Sequence, residues 1–183
     1  MVGNGCYNQR AETAWNFEHA TWRDTPKAIM RLLVEYNDGE TEDFITDSSW
    51  KATIEGPIIY NHVRSGEIYD ARKEMQGWKN VGFDDSKWHN ATIAKPPGGD
   101  YKENIYPNPK IIREIDVVSV NDKNVYDFGE NLSGWVKIEV LGQCGAKVHI
   151  TYSEKIKENG EIDNQNINVH TRKADLKHEE IYI

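Results

Sequence analysis

The chemistry this sequence offers is concentrated in two short stretches. The first is Gly66-Glu67-Ile68-Tyr69-Asp70-Ala71-Arg72, which sets two carboxylates ahead of one guanidinium. A planar guanidinium clamps a carboxylate through two parallel hydrogen bonds. Glu67, Asp70 and Arg72 therefore read either as ion pairs that fix a loop or as a clamp for an acidic ligand, and the loop-fixing pairs are the reading adopted. The second stretch runs from Gly77-Trp78 to Gly82-Phe83-Asp84-Asp85-Ser86-Lys87-Trp88. Asp and Ser turn the chain through side-chain-to-backbone hydrogen bonds, with Phe83 and Trp88 anchoring the turn. The functional alternative uses the Trp88 face as a platform for a sugar and the Asp oxygens for hydroxyls or Ca²⁺.

Signatures of catalysis are missing from the text of the sequence. It contains no GxSxG, HExxH, P-loop or GxGxxG. The histidines at 19, 62, 89, 149, 170 and 178 show no metal-ligand spacing, and His149 falls on the polar side of an alternating segment, where it reads as solvated. Carboxylates are numerous, but a glycosidase pair is defined by a separation across a cleft, which spacing along the chain does not supply. Cys6 and Cys144 lie far apart in the sequence and form no CxxC, so they read as two unpaired thiols.

The elements that must position these groups are strands. Met30, Leu32, Val34 and Tyr36 alternate, Asn37-Asp38-Gly39 tolerates positive φ, and 41–46 returns, which predicts a β-hairpin. Val136, Ile138 and Val140 alternate in the same way, and after a turn at 142–145 so do Val148, Ile150 and Tyr152, which predicts a second hairpin with one apolar face. Helical periodicity is scarce, and 11–22 is aromatic and polar without a clear repeat. The fold class is therefore all-β, of the sandwich type. Pro96, Pro97, Pro107 and Pro109, with Gly98 and Gly99, make 95–109 a connector. A strand is expected over 111–120, and the chain divides into 1–114 and 115–183.

Composition narrows the partners. The 183 residues carry 22 Lys+Arg against 30 Asp+Glu, a net charge of −8, which argues against a nucleic-acid partner. No apolar run exceeds three residues, so no membrane-spanning helix and no signal peptide are expected. Six Trp, nine Tyr and four Phe argue against disorder. Both ends read as cuts through a longer chain.

The ordered set Gly3-Asn4-Gly5-Cys6-Tyr7-Asn8, Thr13-Ala14-Trp15-Asn16-Phe17, Trp22-Arg23-Asp24, Thr46-Asp47-Ser48-Ser49-Trp50-Lys51, Gly56-Pro57-Ile58, the 66–72 and 77–88 stretches, Pro96-Pro97-Gly98-Gly99 and the run Tyr126-Asp127-Phe128-Gly129-Glu130-Asn131-Leu132-Ser133-Gly134-Trp135-Val136 resembles the N-terminal, non-catalytic region of bacterial α-L-rhamnosidases of glycoside hydrolase family 78. The resemblance covers nearly the whole chain. It implies a jelly-roll, galactose-binding-like β-sandwich at 1–114 and the start of a second β-sandwich at 115–183, ahead of an (α/α)6 barrel that carries the catalytic carboxylates. No catalytic residue is carried over. In some relatives the first module binds rhamnose with a Ca²⁺ ion, and the positions nearest that site here are Asn61-His62, Trp88 and Asn108. His62 stands where an acidic residue is wanted, and a neutral imidazole is a poor ligand for a hard cation. No metal ligand is assigned, and Ca²⁺ is the one cofactor left to test.

The expected role is that of an accessory region of a larger rhamnosidase, bracing the barrel and contacting sugar at Asn61, Trp88 and Asn108. The alternative is an independent, Ca²⁺-assisted rhamnose-binding module. The expected partners are a rhamnose-containing carbohydrate and the catalytic domain. The apolar face of the 135–152 hairpin and the strand-like end 179–183 need cover, from the first module or from strand exchange in a homodimer.

Overall fold

The structure is a computed structural model that describes residues 2–5, 7, 8, 16, 19–96, 98–170, 175, 176 and 178–183. Cys6 and most of the 11–22 stretch lie outside the described residues. Twelve strands follow in chain order. They are β1 (Arg31–Glu35), β2 (Thr41–Ile45), β3 (Lys51–Ala52), β4 (Ile58–His62), β5 (Gly66–Tyr69) and β6 (His89–Asn90), then β7 (Ser119–Val120), β8 (Tyr126–Asp127), β9 (Val148–Thr151), β10 (Val169–His170), β11 (Asp175–Leu176) and β12 (Glu179–Tyr182). Among the described residues there is no α-helix, and a 3-10 turn spans Ala71–Lys73. The chain is all-β.

The β1–β2 hairpin forms as the alternation predicts. Leu32 faces Phe44 and Val34 faces Glu42 in register. Gly39 closes the turn at φ 87°, and its N–H donates to the Tyr36 carbonyl at 2.9 Å. Met30, Leu32, Tyr36 and Phe44 share one face of the hairpin and all are exposed. Among the described residues no other strand packs against it with more than marginal contact.

The largest sheet has four strands in the order β4-β5-β12-β9. β4 and β5 are antiparallel, with an irregularity between Ile58 and Tyr60. β12 runs parallel to β5, pairing Ile181 with Ile68 and Tyr182 with Tyr69. On its other side β12 is antiparallel to β9, from Glu179↔Thr151 to Tyr182↔Val148. This sheet joins residues that lie on opposite sides of the proline-rich connector. The three smaller pairs are β3–β6, β7–β8 and β10–β11.

Three strand expectations are corrected here. Residues 136–140 form no strand, so β9 does not pair with them; its partner is β12. Alternation fixes which side chains share a face and leaves open which chain segment completes the ladder. Val136 and Ile138 keep the inward direction the alternation implies, since both line the concavity described below. Of 111–120, only Ser119–Val120 is strand, paired with Tyr126–Asp127. The chain end at 179–182, expected as an open edge, is the second inner strand of the sheet.

Packing is thin throughout. Among the described residues no large side chain is fully buried, and the chain exposes 15649 Å². A compact chain of this size exposes about 9,000 Å².

Candidate functional site

A cluster of buried polar groups sits where β4 turns into β5 and meets β12. Gly66 starts β5 at φ +79°, and a Cβ built there would lie 2.0 Å from the Glu179 carbonyl oxygen. Only glycine allows that approach. The neighbouring backbone is tied across: Ile183 N–H donates to the Tyr69 carbonyl at 2.9 Å, and Ala71 N–H to the Ile183 carbonyl at 2.8 Å.

His62 closes the turn from within. Its side chain is 4 % exposed. Its Nδ1 accepts from the Arg64 N–H at 3.1 Å and the Ser65 N–H at 3.2 Å, with the Ser65 hydroxyl 2.9 Å away. The Tyr60 hydroxyl lies 3.2 Å from that same serine Oγ, and the Tyr60 ring stacks on the imidazole. Two amide donors on Nδ1 place the ring proton on Nε2. That Nε2–H is buried and has no acceptor among the described residues. Burial, helped by the charge of Arg64, pushes the His62 pKa below its ordinary value, so the ring is neutral.

Asn61, beside it, donates its amide to the Glu67 carboxylate at 2.9 Å. Glu67 is thus engaged with Asn61. Asp70 pairs instead with Arg72, through Nε and NH2 at 2.8 Å each. Asp70 is 5 % exposed and caps the 3-10 turn by accepting the Arg72 N–H. The Arg72 hydrogen bonds hold the Asp70 pKa below the usual carboxylate range. The Tyr69 hydroxyl donates to Glu74, which raises the Tyr69 pKa to about 12. Tyr69 also stacks on Tyr182, with ring centroids 5.8 Å apart.

Asn61, Glu67, Tyr69 and Glu74, with Val136, Ile138, Ile150 and Tyr182, line an open concavity of about 620 Å³. Neither Trp88 nor Asn108 is among its lining residues. Trp88 is half-buried edge-to-face against Phe83, at 5.7 Å between centroids. Its turn is held by Asp84, which accepts the Ser86 N–H at 3.0 Å, and by Asp85, which pairs with Lys51 at 2.7 Å. Asn108 is exposed on the long connector. His149, read as solvated, is half-exposed and lies 2.7 Å from Glu179 through Nε2. Sequence reasoning missed Tyr182, Val136 and Ile138, which line the same concavity as Asn61, and Ser65, which bonds His62. Gly66 was the available signal, a glycine at the start of an apolar-alternating strand.

The residues present do not fit Ca²⁺. Among the described residues no three His, Cys, Asp or Glu side chains converge. At 61–66 the turn directs N–H groups inward onto a nitrogen lone pair, whereas a hard cation requires converging oxygens.

Residues 1–113 match the family described as the α-L-rhamnosidase N-terminal domain. The chain belongs to that family. Residues 119–183 match the concanavalin-like domain of bacterial α-L-rhamnosidase. An α-L-rhamnosidase of Formosa agariphila is 30 % identical over 168 residues, covering 87 % of this chain and 17 % of that protein. The structure of the α-L-rhamnosidase from Dictyoglumus thermophilum superposes with a TM-score of 0.81 at 36 % identity, over 99 % of this chain and 19 % of the other. The Streptomyces avermitilis α-L-rhamnosidase, solved with L-rhamnose, gives 0.74 at 31 % identity, over 84 % and 15 %. This rhamnosidase-family chain thus spans less than a fifth of the proteins it matches.

Proposed function

We propose that this chain is a non-catalytic accessory region of a bacterial α-L-rhamnosidase that removes terminal α-L-rhamnose from glycosides or plant polysaccharides. It divides into 1–114 and 115–183, packs against the (α/α)6 catalytic barrel, and lends the concavity beside Asn61 to sugar contact.

The observation that carries this reading is the exposed surface. The 15649 Å² exceeds the area of a compact chain of this size by roughly 6,000–7,000 Å². A large obligate dimer covers only about 1,000–2,500 Å² per partner. A second copy would therefore leave most of the excess in water, whereas the remainder of a polypeptide several times longer would cover it. The apolar face of Met30, Leu32, Tyr36 and Phe44 is the clearest part of that surface.

The test compares Phe44→Ala in this chain and in a longer polypeptide that carries it ahead of a catalytic domain. A covered phenylalanine costs about 3–5 kcal/mol on truncation. An exposed one costs within about 0.5 kcal/mol. The expected result is a large loss in the longer protein and a small one here. Equal small losses would overturn the packing role. Turnover of an aryl α-L-rhamnoside by the 183-residue chain alone would overturn the non-catalytic assignment.

A further inference from the structure

The turn between β4 and β5 is built around an acceptor. Three donors, the Arg64 and Ser65 N–H groups and the Ser65 hydroxyl, surround the Nδ1 of one buried imidazole. The following residue, Gly66, is the point where β12 comes closest, and the Glu179 N–H reaches back to the Ser65 carbonyl at 3.4 Å. The shape of the turn and the attachment of β12 therefore depend on the same few atoms.

We infer that His62 is the organising group of this turn, doing with its imidazole lone pair what a bound cation does with its charge, so that the β5–β12 seam is assembled without metal. A cation gathers a turn by drawing carbonyl and carboxylate oxygens inward. His62 gathers this one by accepting inward-pointing N–H groups. The two solutions exclude each other, because the N–H dipoles that favour the lone pair repel a positive ion. The carboxylates of the strands beside the turn are also committed elsewhere. Glu67 accepts from Asn61, Glu179 lies against His149, and Glu180 accepts from Tyr152 at 2.9 Å. The ring proton on Nε2 removes the second nitrogen as a ligand. His62 is a positioning residue: it touches the turn and acts on β12 through it.

The experiment uses the 183-residue chain in excess CaCl₂ and in EGTA. Superimposable thermal melts are expected, with no Ca²⁺-competed Tb³⁺ luminescence from the neighbouring tyrosines. Nitrogen NMR of the imidazole should show a bare Nδ1 and a protonated Nε2, unchanged by Ca²⁺. His62→Asn, whose amide oxygen can accept the same N–H groups, should keep slow hydrogen exchange at Ile181. His62→Ala should lose it. If His62→Ala does not fold, the tautomer and His62→Asn decide. A Ca²⁺-dependent rise in melting temperature, a protonated Nδ1, or unchanged protection at Ile181 in His62→Ala would each overturn the inference.

Discussion

The β1–β2 hairpin and the β4-β5-β12-β9 sheet are both hydrogen-bonded ladders, and they are held by different means. The hairpin is local: its strands are joined by one tight turn, its register is unbroken over five pairs, and its apolar face is in water. The four-stranded sheet carries the buried polar residues His62, Ser65 and Asp70 on or beside β4 and β5, and draws strands from both family segments. A complete ladder is thus no measure of how firmly a region is held. The difference lies in what each ladder is attached to.

The two hairpin glycines put this to the largest test. Gly39 and Gly66 have nearly the same φ, +87° and +79°, but Gly39 looks into open space and Gly66 meets the Glu179 oxygen. Gly39→Ala should cost about 1–2 kcal/mol, the penalty for a left-handed non-glycine residue. Gly66→Ala adds an overpacking cost of about 1–3 kcal/mol and should release β12 from β5. Urea unfolding with hydrogen exchange at Ile181 measures both; equal losses would erase the distinction between the regions.

A second contrast is in pH. The His62 pKa is lowered in the folded chain. As pH falls, the unfolded chain takes up this proton first. Stability is therefore fully present above the ordinary histidine value near 6.5 and declines as pH drops towards the lower folded value, by at most about 1.4 kcal/mol per pH unit for one proton. His62→Asn should flatten the decline. A slope unaffected by His62→Asn would show that the buried ring is not its source.

Ion pairs separate the regions more weakly. Asp70–Arg72 keeps its carboxylate 6 % exposed, whereas Arg31–Asp43 on the hairpin leaves its partners 68 % and 41 % exposed. Exposed pairs are screened by water and salt. Asp70→Asn should lower the melting temperature more than Asp43→Asn, and added salt should weaken the hairpin pair more than the Asp70–Arg72 pair. The smallest effect is expected from Leu32→Ala in this chain, within about 0.5 kcal/mol because the side chain is already in water. A loss of several kcal/mol would mean that the hairpin face is covered after all.

What the sequence revealed follows the same division. The β1–β2 hairpin was legible because its alternation and its Asn37-Asp38-Gly39 turn lie together in one short stretch. The partner of β9 was not. Residues 136–140 have the right alternation and the right proximity, and the distant 179–182 segment won the ladder. At the site, residue type was enough to judge His62 a poor ligand for a hard cation. Its place as the acceptor for the turn depends on backbone N–H directions, which no side-chain pattern encodes. The grouping of Asn61 with Trp88 and Asn108 rested on resemblance, and the concavity takes in Asn61 with Tyr182 and Ile138 instead.

The pairing of Ile68 with Ile181 has a consequence in time. A ribosome adds about 5–20 residues per second. The 113 positions between the two partners therefore take roughly 6–20 s to synthesise. Throughout that interval β5 is complete but its long-range neighbour does not exist, and its row of free N–H and C=O groups is a template for any passing strand. The nascent chain must be shielded until β12 leaves the exit tunnel, so the yield of folded protein should depend on translation speed and chaperone supply more than its final stability would suggest.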